Sequence, residues 1–553
     1  MGAVPLVPGG PSQYPRACAL APPEGTGTVW LVDAPLAGAG RPRRSELLAA
    51  LSLAIDLGLG QPQEHMLRSC LIAMKIADLI GADAVERETA YYGGLLAWIG
   101  CHADSQEFAE LFGNDIEFRA ASYEVDWRGP PFASLLLRYV GSARPLSAHA
   151  ARLASFVVHA RAQMSELISS HCQSAGNLAG RLGLPEQVSL GLTYTFERWD
   201  GSGLPTGAAG VRIPLGMRLV HLADVAEVHL RSGGVEAAFA MARARSGTQF
   251  DPALVSVFCE HVPELMPLVE DDVWQSAIQL APDSDRVLTE RELDALLEAM
   301  GDFVDLKSPW TVGHSRVVAE LAARAGASLG LDEWHVRDLR RAGHVHDLGR
   351  MGVPNRVWSK TSALSMAEQE HVRLHPYLTQ RILNRVDALR GIAQLAGAHH
   401  ERLDGSGYPL GASGAELRLP ERVLAAADAY QSLREPSPHR TAHQPEDAAQ
   451  VLRKDAREGR LDGPAVEAVL AAAGHSRPAR GSWPAGLTDR EVDVLRLIAC
   501  GCSAAEVAAE LHIAPKTARN HVEHIYAKLN TSNRTGAALF ALTHGLVGVP
   551  LTD

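Results

Sequence analysis

The chain has 553 residues, which is enough for three or four domains of ordinary size (~150 residues each) and excludes a single small fold. Hydrophobic residues make up 46% and charged residues 21%, as in a folded globular protein rather than a disordered or fibrous one. The net charge of −12 excludes a protein that coats nucleic acid along its whole length, but it leaves room for a small basic module.

The termini and the cysteines indicate the compartment. The 7 cysteines form no CxxC pair, and the chain has neither a signal peptide nor ~18 consecutive apolar residues. We therefore expect a cytoplasmic protein with reduced thiols and no membrane partner. Residues 1–40, rich in Pro, Gly and Ala, are expected to form a disordered leader.

The next part of the chain is an internal repeat. FERWDGSGLPTG (196–207) matches HERLDGSGYPLG (400–411), and the stretches 64–81 and 313–330 match in the same order. Apolar residues recur three and four positions apart in both copies, which is typical of helices. The sequence therefore predicts an all-α fold with two homologous domains, at 41–270 and 271–474. The first copy is the longer, with its extra residues between roughly 105 and 165.

The second copy gathers imidazole and carboxylate side chains in a metal-binding pattern. Such ligands suit iron, manganese or zinc, and two ions would need about this many donors. The candidate ligands are His314, His346, Asp347, His375, His399, His400 and Asp428. For a single histidine, a role without metal is the alternative, and we predict that role for His335, His344 and His371.

Four motifs of the second copy resemble the HD-GYP family of metal-dependent phosphohydrolases: HVHDLGR (344–350), LHP (374–376), HHERLDGSGYP (399–409) and AADAY (426–430). The resemblance implies a helical phosphodiesterase that hydrolyses cyclic di-GMP at a centre of two or three metal ions. It also implies that the seven candidate ligands bind the metal and that Asp347 bridges the ions. The remaining roles implied are catalysis by Asp347 and Arg350, and substrate binding by Arg350, Asp404, Tyr408 and Arg440.

Three departures from the family pattern bear on these roles. Trp310 stands where members with three ions have a glutamate, so two ions are expected, iron or manganese before zinc. Arg350 replaces a common lysine, and an arginine places its charge differently. Of the usual Arg-Pro-Tyr-Arg segment, only Pro438 and Arg440 remain, which predicts altered phosphate or base contacts.

The first copy lacks most of these ligands. His65, His171 and Asp224 remain, whereas the other ligand positions hold Ala97, Trp98, Thr195 and Phe196. Three scattered donors without a bridging carboxylate support a dinuclear centre poorly, although His102 and Asp104 lie nearby in sequence. The interpretation is a degenerate HD-like domain that senses a ligand or dimerises.

The C-terminal part reads as a linker (475–486) followed by four short helices (487–553). Thr488 and Ser503 each precede a glutamate by three residues, the spacing of a capping box, and Pro515 opens a third helix. This stretch resembles the LuxR-type helix-turn-helix domain, which implies a recognition helix at 515–529. The implied DNA-binding residues are Lys516, Thr517, Arg519, Asn520, His521 and Lys528. A helical oligomerisation domain without DNA contact is the alternative.

Taken together, the sequence predicts a homodimeric transcriptional regulator that carries an HD-GYP-like phosphodiesterase domain and binds DNA. Cyclic di-GMP or a related nucleotide is the expected substrate. Two alternatives remain: a transcription factor whose HD domains sense a nucleotide without hydrolysing it, and a phosphohydrolase of another nucleotide.

Overall fold

A computed structural model of the full chain describes most of the residues. The described ranges are 40–102, 105–140, 146–270, 272–475, 484–499, 502–511, 513–531, 533–544 and residue 546. The leader predicted at 1–40 and most of the linker predicted at 475–486 lie outside them. Within these ranges the chain forms helices and a few isolated β-bridges but no strand, which confirms the all-α prediction.

The first copy contains eleven of the described helices. They are α1 Arg44–Leu59, α2 His65–Leu79, α3 Ala84–Leu96, α4 Ser105–Phe112, α5 Asp115–Ser122, α6 Gly129–Tyr139, α7 Leu146–Arg181, α8 Glu186–Leu192, α9 Leu215–Arg245, α10 Pro252–Glu270 and α11 Val273–Gln279. The extra length expected near 105–165 appears as α5, α6 and the long α7. Helix α11 follows the domain boundary predicted at residue 270, and it packs on α1 and α2.

The second copy contains ten described helices. They are α12 Glu290–Asp305, α13 His314–Ser328, α14 Glu333–Val345, α15 Asn355–Trp358, α16 Met366–Arg373, α17 His375–Leu383, α18 Arg390–Gly397, α19 Leu419–Arg434, α20 Pro445–Arg457 and α21 Gly463–Ala472. The two copies also share an equivalent hydrogen bond between an aspartate and a backbone N–H. Asp56 in α1 accepts the backbone N–H of Met66 at 3.1 Å, and Asp305 in α12 accepts that of Ser315 at 2.9 Å.

The two copies share one buried apolar core and pack against each other in a nearly reciprocal way. Helix α1 contacts α17 and the 3₁₀ turn Leu348–Gly352 of the second copy. In return, α12 contacts α7 and the 3₁₀ turn Ile99–His102 of the first copy. The turn Leu348–Gly352 directly follows His346 and Asp347, so this interface supports the chain next to the predicted metal ligands.

The C-terminal domain has its own core, built on Val492, Leu495, Val507 and Ile525. Its described helices are α22 Asp489–Ala499, α23 Ala504–Glu510, α24 Pro515–Lys528 and α25 Arg534–Thr543. Both expected capping boxes form, because Thr488 and Ser503 each exchange hydrogen bonds with the glutamate three residues on. In the described part of the chain, no helix is both long and apolar enough to cross a membrane.

Candidate metal centre

The predicted ligands of the second copy come from the ends of helices and from one helix interior. His314 and His375 open α13 and α17, His346 and Asp347 follow α14, His399 and His400 follow α18, and Asp428 lies within α19. All of them are buried except His400, whose side chain is 20% exposed. Helix ends facing one another thus bring residues 114 positions apart into one site.

Asp347 lies between two pairs of histidines. Its Oδ1 is 3.3 Å from His375 Nε2 and 3.6 Å from His399 Nε2. Its Oδ2 is 3.6 Å from His346 Nε2 and 3.9 Å from His314 Nε2. One carboxylate therefore faces both pairs, each with a different oxygen, which is the arrangement expected of a group that bridges two ions.

Asp428 reaches both sides of the site in the same way. Its Oδ1 is 3.4 Å from His314 Nε2, and its Oδ2 is 3.6 Å from His400 Nδ1. The structure thus brings all seven predicted ligands together in two overlapping groups. His335, His344 and His371, predicted to be bystanders, belong to neither of the metal-capable groups found among the described residues.

The hydrogen bonds of three histidines show that the donor set fits a cation. The Nδ1 atom of each of these histidines lies close to the carbonyl oxygen three residues earlier. The distance is 2.8 Å for His346, 2.5 Å for His375 and 2.6 Å for His399. A carbonyl only accepts, so Nδ1 carries the proton and Nε2 presents a lone pair. The Nε2 atoms of His375 and His399 are 3.1 Å apart, so two lone pairs face each other. A cation between them would turn this repulsion into coordination.

The charge states agree with ligand chemistry. Burial lowers the pKa of His399 to about 3, so its imidazole is neutral, as a ligand must be. Burial alone would raise the pKa of Asp347, but His346 and Arg350 hold it well below its usual range. The site therefore offers a neutral imidazole at His399 and an ionised carboxylate at Asp347, whereas Asp428 and Glu435, against the effect of burial, raise the pKa of His314.

Glu435 is a site residue that the sequence did not reveal. It follows α19, and its Oε2 is 2.9 Å from His314 Nδ1, while Gln431 donates to its Oε1 at 2.6 Å. A carboxylate behind a histidine fixes the ring and raises its basicity as a ligand. No spacing signalled it, because α19 ends at Arg434 and the backbone is already extended at Glu435.

Among the predicted substrate residues, Arg350 and Tyr408 lie at the metal-capable groups. Arg350 Nη1 donates to Asp347 Oδ2 at 2.9 Å, and its guanidinium lies 4.1 Å from the centre of the Trp358 ring. The centre of the Tyr408 ring is 4.7 Å from that of His400, and the guanidinium carbon of Arg373 lies over the Tyr408 ring, 5.2 Å from its centre.

Asp404 and Arg440 are engaged elsewhere. The exposed Asp404 accepts hydrogen bonds from the N–H and hydroxyl of Ser406, at 3.0 and 2.6 Å, within its own loop. Arg440 donates to the carbonyl oxygens of Ser432 and Leu433 at 2.7 and 2.8 Å, at the end of α19. Their predicted substrate roles remain predictions.

The corresponding site of the first copy is closed by hydrogen bonds. His65 lies between Glu227 Oε2 at 2.6 Å and Asp224 Oδ1 at 3.1 Å. Although burial opposes protonation, these two carboxylates raise the pKa of His65 to about 10. Trp98 Nε1 donates to Asp224 Oδ2 at 3.1 Å. Asp104 and the side chain of His102 lie outside the described residues.

In the C-terminal domain, most of the predicted DNA-binding residues are accessible. Lys516, Thr517, Arg519 and Asn520 are exposed on the first turns of α24, and His521 is half-buried. Lys528 Nζ is engaged within the domain, with Glu491 Oε2 at 2.6 Å and the Gly486 carbonyl at 2.9 Å.

Comparison with known proteins identifies the family. The chain is 32% identical to 3'3'-cGAMP-specific phosphodiesterase 3 of Vibrio cholerae over 403 residues, which are 72% of this chain and 88% of that protein. The chain belongs to the HD-GYP family. An HD-domain family profile matches this HD-GYP protein at residues 158–254 and 298–465, and the profile "Bacterial regulatory proteins, luxR family" matches residues 485–541.

Further relatives agree. The cyclic di-GMP phosphodiesterase of Thermotoga maritima is 30% identical over 182 residues, 32% of the chain and 48% of the relative. The crystal structure of a cyclic GMP-AMP-specific phosphodiesterase of V. cholerae aligns with a TM-score of 0.54 and 27% identity, covering 79% of the chain and 99% of that structure. The HD-GYP protein is thus a metal-dependent phosphodiesterase with a LuxR-type DNA-binding domain.

Proposed function

We propose that the second copy hydrolyses a 3′,3′-cyclic dinucleotide at a centre of two divalent ions. The observation that carries the proposal is the position of Asp347, whose two oxygens face two separate pairs of histidines. A single structural ion needs about four ligands, whereas this arrangement offers a shared carboxylate and donors on both sides of it.

The donors divide by distance into two sets that share Asp347. One ion would be held by His314, His346, Asp347 and Asp428, and the other by Asp347, His375, His399 and His400. Imidazole with carboxylate favours iron or manganese, with zinc as a third candidate. Ions bound there supply Lewis-acid chemistry, which lowers the pKa of water and offsets the charge of a phosphoryl group.

The surrounding residues hold the substrate. Arg350 places a buried positive charge beside Asp347, and the Trp358 ring under its guanidinium keeps that charge directed into the site. A phosphate entering the site meets this guanidinium, which can bind two oxygens at once. Tyr408 and Arg373 lie at the rim, where a planar purine base can stack.

The names of the relatives support an order of preference among substrates. Relatives named for 3'3'-cGAMP align over 72%, 32% and 25% of the chain, and three relatives named for cyclic di-GMP align over 30–33% of it. We therefore place 3′,3′-cGAMP first and cyclic di-GMP second.

The test is hydrolysis by the full chain loaded with manganese or iron(II), with both cyclic dinucleotides and an unrelated cyclic mononucleotide as substrates. Turnover is expected with 3′,3′-cGAMP, and Asp347→Ala should lower it more than 100-fold, since even an outer partner of a metal ligand is worth 10–100-fold. Asp285→Ala, which removes an exposed acid, is the control. Tight binding without turnover would support the alternative of a nucleotide sensor.

We infer that α24 is the recognition helix and that Lys516, Thr517, Arg519 and Asn520 contact DNA. Their support is exposure on the first turns of a helix that Pro515 opens. Only the stretch 514–534 of this domain is basic, and a homodimer would join two such patches and strengthen binding. A DNA-binding protein must share a compartment with the DNA, and the cytoplasm remains the compartment that we predict.

A further inference from the structure

The first copy contains a cavity of about 100 Å³ where the second copy gathers its ligands. Its wall includes residues that stand at metal-ligand positions in the repeat: Ala97, Trp98, Thr195, Phe196 and Asp224. Asp224 is already bound by His65 and Trp98. The lost metal site has therefore become a chamber of different chemistry.

The chamber is lined by aromatic rings. The centre of the Trp98 ring is 5.3 Å from that of Phe196 and 5.9 Å from that of Tyr123, both edge to face, and Trp127 also lines the cavity. Walls of this kind favour a flat ring. The cavity is smaller than the ~150 Å³ that holds benzene, but it is partly open to solvent, so a single ring would fill it and the substituents of that ring would extend to the polar groups of the wall and mouth.

Two of those polar groups lack a hydrogen-bonding partner. Arg198 is 8% exposed and pairs through Nη1 with Asp126 at 2.9 Å, while its Nε and Nη2 have no partner. Glu197 Oε1 holds the Thr206 N–H at 2.8 Å, while its buried Oε2 has none. Arg245, also 8% exposed, adds a second positive charge to the wall. Buried groups of this kind call for a ligand with an acceptor and a donor.

We propose that the cavity of the first copy binds a small hydroxylated aromatic acid. The carboxylate would lie on Arg198 and Arg245, the ring among Trp98, Tyr123 and Phe196, and the hydroxyl would donate to Glu197. This proposal does not depend on the substrate of the second copy, because binding is measured without hydrolysis.

A buried path joins this cavity to the second copy. Arg119 lines the cavity and donates from Nη1 to Asp115 Oδ2 at 3.1 Å. Asp115 Oδ1 accepts the N–H of Asn355 at 2.8 Å, just after the turn Leu348–Gly352 that carries Arg350. A ligand that moves Arg119 therefore acts on the chain beside the metal site, and we expect it to change the rate of hydrolysis.

The experiment is calorimetric titration of the full chain with 4-hydroxybenzoate. Saturable binding with one ligand per chain is expected. Benzoate, which lacks the donor, and 4-hydroxybenzamide, which lacks the charge, should bind roughly tenfold more weakly. Arg198→Met should weaken 4-hydroxybenzoate at least as much, whereas Arg243→Met, at an exposed site two residues before Arg245, should not.

A second variant keeps the test decisive where Arg198→Met fails to fold. Val125→Trp adds a ring at the half-buried edge of the cavity and should abolish binding without removing a charge. Absence of saturable binding, equal affinity for 4-hydroxybenzamide, or full affinity in the folded Val125→Trp protein would overturn the site. A rate of hydrolysis unchanged at saturating ligand would overturn the coupling through Arg119.

Discussion

Four of the predicted histidine ligands of the second copy each have a partner that fixes the orientation of the ring. Three histidines use the carbonyl oxygen three residues earlier, and His314 uses Glu435 at 2.9 Å. The partner decides which ring nitrogen carries the proton and leaves the other for a metal. Main-chain carbonyl oxygens therefore fix the ring orientation of three of the five histidines, and the carboxylate of Glu435 fixes that of His314.

Glu435→Gln tests this role. Loss of the carboxylate should lower the affinity for manganese by about 10–100-fold, because His314 is then held by a weaker acceptor. Affinity can be measured by titration of the metal-free protein, with circular dichroism to show that the fold is kept. Glu446→Gln, at an exposed site on α20, should bind manganese as the unchanged protein does. Equal affinities for both variants would contradict the role of Glu435.

The residues that the sequence could predict are those with a motif. Six of the seven predicted ligands stand in the four motifs and His314 stands in the repeated stretch 313–330, and the structure brings all seven together. Glu435 belongs to no motif, and neither does the capping of α19 by Arg440. Both depend on how the chain turns after α19, which residue type and spacing do not determine.

At the scale of elements, α2 and α9 of the first copy are joined by a buried ion pair. His65 on α2 bonds Asp224 and Glu227 on α9, where its counterpart in the second copy would bind metal. The pair thus replaces metal coordination as the link between these helices.

This link predicts a pH dependence of stability. The pKa of His65 is about 10 in the folded protein against ~6.5 unfolded, so its contribution is complete below pH 6.5 and is lost as pH rises towards 10. His65→Gln should cost about 3–5 kcal/mol near pH 6.5 and progressively less at higher pH. Thermal unfolding of both proteins between pH 6 and 10 measures the difference. His335→Gln, on an exposed histidine, is the control, and a pH-independent cost would refute the ion pair.

Helix α24 carries the second prediction at this scale. Lys516→Ala with Arg519→Ala should weaken binding to duplex DNA and reduce the slope of log K against log salt by about 0.9 per lost phosphate contact. Gel-shift titrations at several salt concentrations provide the slope. The pair Lys454→Ala and Arg457→Ala makes the same charge change on α20 and should leave DNA binding intact. Equal slopes for the two double variants would contradict the role of α24 as the recognition helix.

For the whole molecule, the contact between the copies is the feature that the sequence did not predict. The repeat predicted two similar domains, and helical periodicity predicted their class. How α1 and α12 each pack on the opposite copy depends on the shapes of two buried surfaces. The extra residues of the first copy also take part in this contact. Asp115 of α5 accepts the N–H of Asn355 and lies 3.9 Å from the ammonium group of the buried Lys307.

Asp115→Ala tests the importance of this contact. The change leaves Lys307 and Arg119 buried beside each other without their shared carboxylate, which should cost about 3–5 kcal/mol of unfolding free energy. Asp78→Ala, which breaks an exposed ion pair with Arg87, should cost less than about 1 kcal/mol. Urea unfolding of the three proteins gives both values. A cost for Asp115→Ala as small as that of the control would show that the network does not hold the copies together.

We propose that one chain holds a dinuclear centre in its second copy and none in its first. Its most direct test is the metal content of the purified full chain after loading with manganese and removal of free ions. We expect two ions per chain in the unchanged protein, two also in Asp224→Asn, and at most one in Asp347→Asn. Loss of metal in Asp224→Asn, or two ions retained in Asp347→Asn, would contradict it.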